Sequence, residues 1–67
     1  MLNVTVHSGT KTKREITITG CDTVVDATAV KYPNVWNIYL NNGDVLYSPT
    51  LRGIEFEILN HLKGHMQ

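Results

Sequence analysis

The sequence predicts an α+β fold, a small antiparallel β-meander of about five strands with a C-terminal helix. Three observations carry that prediction. Apolar and polar residues alternate in two early segments, and an Asn-Gly pair separates two later apolar segments. Leu51, Ile54, Ile58, Leu59 and Leu62 then recur at helical spacing. The alternative is an all-β small barrel or sandwich, because Ile54-Glu55-Phe56-Glu57-Ile58 also alternates as a strand does.

The first strand is expected from Leu2 to His7, with Leu2, Val4 and Val6 inward and Asn3, Thr5 and His7 outward. The small polar run from Ser8 to Lys13 reads as a hairpin loop. Arg14 to Thr19 alternates again, with Ile16 and Ile18 toward the core, and Gly20 ends it. Residues 22–32 form a third strand, with Val25, Ala27 and Ala29 on one side. Val24, Asp26, Thr28, Val30 and Tyr32 lie on the other. Both faces are moderately apolar, which suits a central strand.

Pro33-Asn34 turns the chain, and Val35–Leu40 and Val45–Ser48 flank Asn41-Asn42-Gly43-Asp44. Asn-Gly tolerates the two positive φ angles of a type I′ hairpin turn. With Asn42-Gly43 as the loop, Leu40 pairs with Val45, Tyr39 with Leu46 and Ile38 with Tyr47. That register puts Trp36, Ile38, Leu40, Val45 and Tyr47 on one face. Val35, Asn37, Tyr39, Leu46 and Ser48 take the other. A helix follows from about Leu51 to Lys63, with Ser48 as its cap, Pro49 as its first residue and Gly64 as its stop. Glu55 and Glu57 near its start and Lys63 near its end suit the helix field.

With 67 residues, the chain is a single domain, 1–67. So short a chain buries only about 60 % of its unfolded surface, and small cores usually need added support. One cysteine excludes an internal disulfide and suits a reducing compartment. Self-association is therefore expected. The formal charge is zero, which removes long-range steering and argues against nucleic acid as partner. The first residues lack the basic start and apolar run of a signal peptide, and no stretch approaches the roughly 18 apolar residues of a membrane span. The expected location is cytoplasmic, without membrane contact.

No phosphate loop, nucleophile elbow or His-Glu-x-x-His motif is present, so neither an enzyme nor a cofactor is expected. Cys21 reads as an ordinary turn residue. Glu57, His61 and His65 recur every four residues, a spacing that lets side chains share a metal on a helix. Gly64 would turn His65 away and no fourth ligand follows, so no metal is expected. Lys11, Lys13 and Arg14 read as solubilising loop charge, and Asp22, Asp26 and Asp44 show no pairing for acid–base work.

Val35, Tyr39 and Leu46 form an apolar strip on the second hairpin face, the candidate interface. Tyr32, Arg52 and Lys31 are the candidate ligand-binding residues for a small anionic ligand. The function these features imply is a non-enzymatic, homo-oligomeric protein-interaction module that acts on a protein partner as an inhibitor, adaptor or assembly factor. A bacteriophage or bacterial accessory protein would have this size. The alternative is a nucleotide-binding or sequestering protein with its sites between subunits.

Overall fold

The computed structural model of the chain describes residues 2–65, the last by its backbone alone. Five strands, β1 (Asn3–Val6), β2 (Lys13–Thr19), β3 (Asp26–Tyr32), β4 (Val35–Leu40) and β5 (Val45–Ser48), precede one helix, α1 (Gly53–His65). The strands pair antiparallel in the order β1-β2-β3-β4-β5, a meander in which every neighbour in sequence is a neighbour in space. The sheet is curled, and α1 packs on β5 and β1, its two outermost strands. The α+β expectation holds, and the helix takes the place that a sixth strand would have in the all-β alternative.

The core lies between the concave face of the sheet and the helix. Alternation places Val4, Ile16, Ile18, Ala27, Ala29, Trp36, Ile38 and Leu40 inward, and all are buried. Ile54, Ile58 and Leu62, spaced four apart, bury one stripe of α1 against them. Each such isoleucine or leucine contributes about 1.5–3 kcal/mol of burial. The alanines of β3 keep the middle of the curl shallow, which leaves room for those helix side chains. Phe56, which a strand would have turned inward beside Ile54 and Ile58, is 61 % exposed on the outer side of the helix.

The hairpin between β4 and β5 differs from the register expected. Tyr39 pairs with Val45, Ile38 with Leu46, Asn37 with Tyr47 and Trp36 with Ser48. The loop has three residues, Asn41-Asn42-Gly43, closed by Gly43 N–H donating to Leu40 O at 3.1 Å and Leu40 N–H donating to Asp44 O at 2.9 Å. Only Gly43 takes a positive φ, +99°, so the two left-handed residues of a type I′ turn are not formed. This is the longer hairpin loop in which a left-handed glycine follows an ordinary turn. Asn42 fixes it by accepting from the Asp44 N–H at 3.0 Å. The extra residue exchanges the faces of β5: Leu46 and Ser48 point inward, while Val45 and Tyr47 point outward.

Three other boundaries move. Residues 21–25 are a connection rather than strand, and within it Val24 is buried while Val25 is 49 % exposed. Asn41 holds that connection by accepting from the Val25 N–H at 3.0 Å. The helix cap is Thr50, whose Oγ1 accepts from Gly53 N–H at 3.1 Å. Ser48 instead ends β5 fully buried, donating from Oγ to Thr50 O at 2.7 Å. Gly64 does not stop the helix, which continues to His65.

Candidate functional site

Antiparallel pairing sorts the side chains by end as well as by face. The end of β1, the starts of β2 and β4, the ends of β3 and β5 and the start of α1 meet at one end of the molecule. Lys11, Lys13, Arg14, Lys31 and Arg52 lie there, five of the six lysines and arginines. Asp22, Asp26 and Asp44 lie at the other end, in or beside the β2–β3 and β4–β5 connections. A seven-residue strand spans roughly 20 Å, beyond the Debye length of about 8 Å at physiological salt. The two groups therefore do not cancel locally, and zero net charge conceals a basic end and an acidic end.

At the basic end a groove of about 400 Å³ opens between the β1–β2 hairpin and the first turns of α1. Arg14 enters it from β2, and Arg52 and Glu55 from the helix side. Val6 and Leu51 supply apolar wall, and Ser8 lies on the hairpin rim. Arg14 shares the inward parity of Ile16 and Ile18, so it points into the mouth of the curl rather than out from a loop tip. Its Nε is buried without a hydrogen-bond partner among the described residues. No ion pair joins Arg14 or Arg52 to a carboxylate among those residues, whereas Lys13 lies 3.7 Å from Glu15 on the outer face. His7 also borders the groove, with its Nε2 2.7 Å from Thr17 Oγ1.

The outer face of β3, β4 and β5 forms a second surface. Tyr32, Tyr39, Val45 and Tyr47 are exposed there, Tyr47 by 61 % and Tyr39 by 39 %, around Val30, Val35 and Asn37. The phenols of Tyr32 and Tyr39 are close enough to influence each other's ionisation. Asn37 Nδ2 donates to Tyr39 Oη at 3.2 Å. Donors on its oxygen lower the Tyr39 phenol below the ordinary tyrosine value, while bonding to Tyr39 raises Tyr32. None of these outward residues of β4 and β5 carries charge.

A smaller pocket of about 190 Å³ at the acidic end is bordered by Cys21, Thr23, Asp44 and His61. His61 Nε2 lies 3.0 Å from Asp44 Oδ2, tying the helix to the β4–β5 turn. Backbone N–H groups of Thr23 and Val24 bond the Cys21 sulfur and lower its thiol below the ordinary value, helped by the Thr23 hydroxyl 3.7 Å away. Glu57 and His61 sit on α1, but the side chain of His65 lies outside the described residues. Among those residues no three His, Cys, Asp or Glu side chains come together as a metal site.

The structure thus divides the residues singled out from the sequence. Val35 and Tyr39 share the outer face, whereas Leu46 is turned inward and packs against the core. Tyr47 and Val45, expected inside, replace it. Of the ligand-binding set, Arg52 lines the groove, Lys31 stands at the same end of the sheet, and Tyr32 belongs to the tyrosine face. Arg14 was masked by its neighbours Lys11 and Lys13. Its parity with Ile16 and Ile18 was the available signal. No helix among the described residues is long and apolar enough to cross a membrane. No family model matches the chain, and neither a curated protein nor a solved structure is found to match it.

Proposed function

We propose that this chain is a non-catalytic interaction module that pairs with a second copy of itself through the outer face of β3–β5. The observation that carries this reading is the uncharged tyrosine face, with Tyr39, Val45 and Tyr47 exposed together on two adjacent strands. Tyrosines in such a patch supply large, rigid contact area and dominate many interfaces. A second copy is favoured as occupant because the outward residues of β4 and β5 carry no charge to repel their own image and the chain has zero net charge. An inhibitor, adaptor or assembly factor would act through a dimer of this kind. The lone Cys21 suits work in a reducing compartment such as the cytoplasm.

Sedimentation equilibrium tests the proposal. The wild-type chain is expected to dimerise in the micromolar range. Tyr39→Ser/Tyr47→Ser should weaken the dimer at least about tenfold, the scale of losing one strong interface residue, with the circular dichroism spectrum unchanged. A wild-type chain that stays monomeric at about 1 mM, the limit of weak association, refutes the proposal. So does a double variant that dimerises as tightly as the parent.

A further inference from the structure

The groove at the basic end is independent of the tyrosine face, since it opens from the concave side of the sheet. Its two arginines come from different elements, Arg14 from β2 and Arg52 from the segment entering α1. A guanidinium buried at Nε without a partner is costly unless something accepts its hydrogen bonds. Lys11, Lys13 and Lys31 surround this end and add to the positive field.

We propose that the groove binds the phosphate of a small phosphomonoester, held between Arg14 and Arg52. A carboxylate is planar and is satisfied by one arginine fork, whereas a phosphate presents three terminal oxygens in different directions and can accept from two forks that are not coplanar. Glu55, on the same wall as Arg52, opposes a bare anion but accepts hydrogen bonds from hydroxyl or amino groups. The ligand class is therefore a phosphate carried on a small hydroxyl- or amine-bearing body, such as a nucleoside 5′-monophosphate. Val6 and Leu51 offer apolar contact to that body.

Amide chemical-shift titration of the full chain tests this, with inorganic phosphate, a nucleoside 5′-monophosphate and a short single-stranded oligonucleotide as probes. Saturable shifts are expected at Ser8, Arg14 and Arg52, with the monophosphate binding more tightly than inorganic phosphate. Arg52→Gln, at an exposed position, should weaken the monophosphate about tenfold, as should Arg14→Gln if circular dichroism shows it folded. Glu55→Gln should tighten inorganic phosphate. Absence of saturable shifts up to about 10 mM, or unchanged affinity in Arg52→Gln, overturns the site. An oligonucleotide that binds far more tightly than the monophosphate, and loses that affinity when Lys11, Lys13 and Lys31 are neutralised, overturns the small-ligand assignment in favour of a nucleic-acid surface.

Discussion

Replacing Gly53 by alanine puts two well-measured effects in opposition. Alanine is favoured over glycine inside a helix by up to about 1 kcal/mol, so helix propensity alone predicts a more stable protein. The new methyl carbon, however, would lie 2.5 Å from Ser48 Oγ and 3.1 Å from Thr50 Oγ1. Ser48 is fully buried at the end of β5. Its hydroxyl donates to Thr50 O and accepts from Thr50 N–H. Displacing it forfeits two hydrogen bonds of about 1 kcal/mol each and adds overpacking of about 1–3 kcal/mol. The expected balance is a net loss of about 2–4 kcal/mol, which lowers the melting temperature of a chain this size by roughly 10 °C or more.

Urea unfolding at fixed protein concentration, followed by fluorescence of the buried Trp36, measures that loss. Ser48→Ala removes the obstructing oxygen and leaves the Ser48 Cβ at 3.8 Å, an ordinary contact. The Gly53→Ala cost should therefore shrink markedly in the Ser48→Ala background, as a double-mutant cycle reads out. A Gly53→Ala protein more stable than its parent, or a cost unchanged by Ser48→Ala, refutes the reasoning.

Asn41→Ala removes the acceptor for the Val25 N–H and should cost about 1 kcal/mol, with faster hydrogen exchange at Val25 as the local check. For Cys21, ultraviolet titration of the thiolate should give a midpoint below that of a free cysteine, moving upward in Thr23→Val as one of its hydrogen bonds is removed. Because the folded value lies below the unfolded one, the thiolate's contribution to stability is present above the unfolded thiol value. It is lost as pH falls through the folded value. Cys21→Ser should abolish that pH dependence, and a stability profile identical in Cys21→Ser contradicts the assignment.

The strands and the helix were legible because their signals are periodic and survive small errors in boundary. Ile16 and Ile18, or Ile54 and Ile58, bury the same way wherever the element starts. The faces of β5 were less legible because they depend on one residue of loop length. Asn42-Gly43 permits a two-residue turn, but only Gly43 adopts positive φ, and the third loop residue exchanges Leu46 with Tyr47. Leu46, one of the three candidate interface residues, was therefore assigned to the wrong face, while Val35 and Tyr39 kept their side. The groove was hidden for another reason. Arg14 and Arg52 stand far apart in the chain, and their meeting depends on how the helix crosses the curl. The charge balance erred in a related way, since a sum over the sequence contains no information about ends.

The helix is also a latch. Every strand pairing joins segments that are close in the chain, so each hairpin closes a short loop, whereas α1 must reach back to β1 across nearly the whole chain. On loop-closure entropy alone, that docking is expected to come after the hairpins close. Until it occurs, the ribbon of strands exposes its concave lining, and Ile16, Ile38 and Trp36 are open to chaperones or to other unfinished copies. On that order of events, the arrival of the helix, rather than the formation of the sheet, is what closes the core, because Ile54, Ile58 and Leu62 complete it.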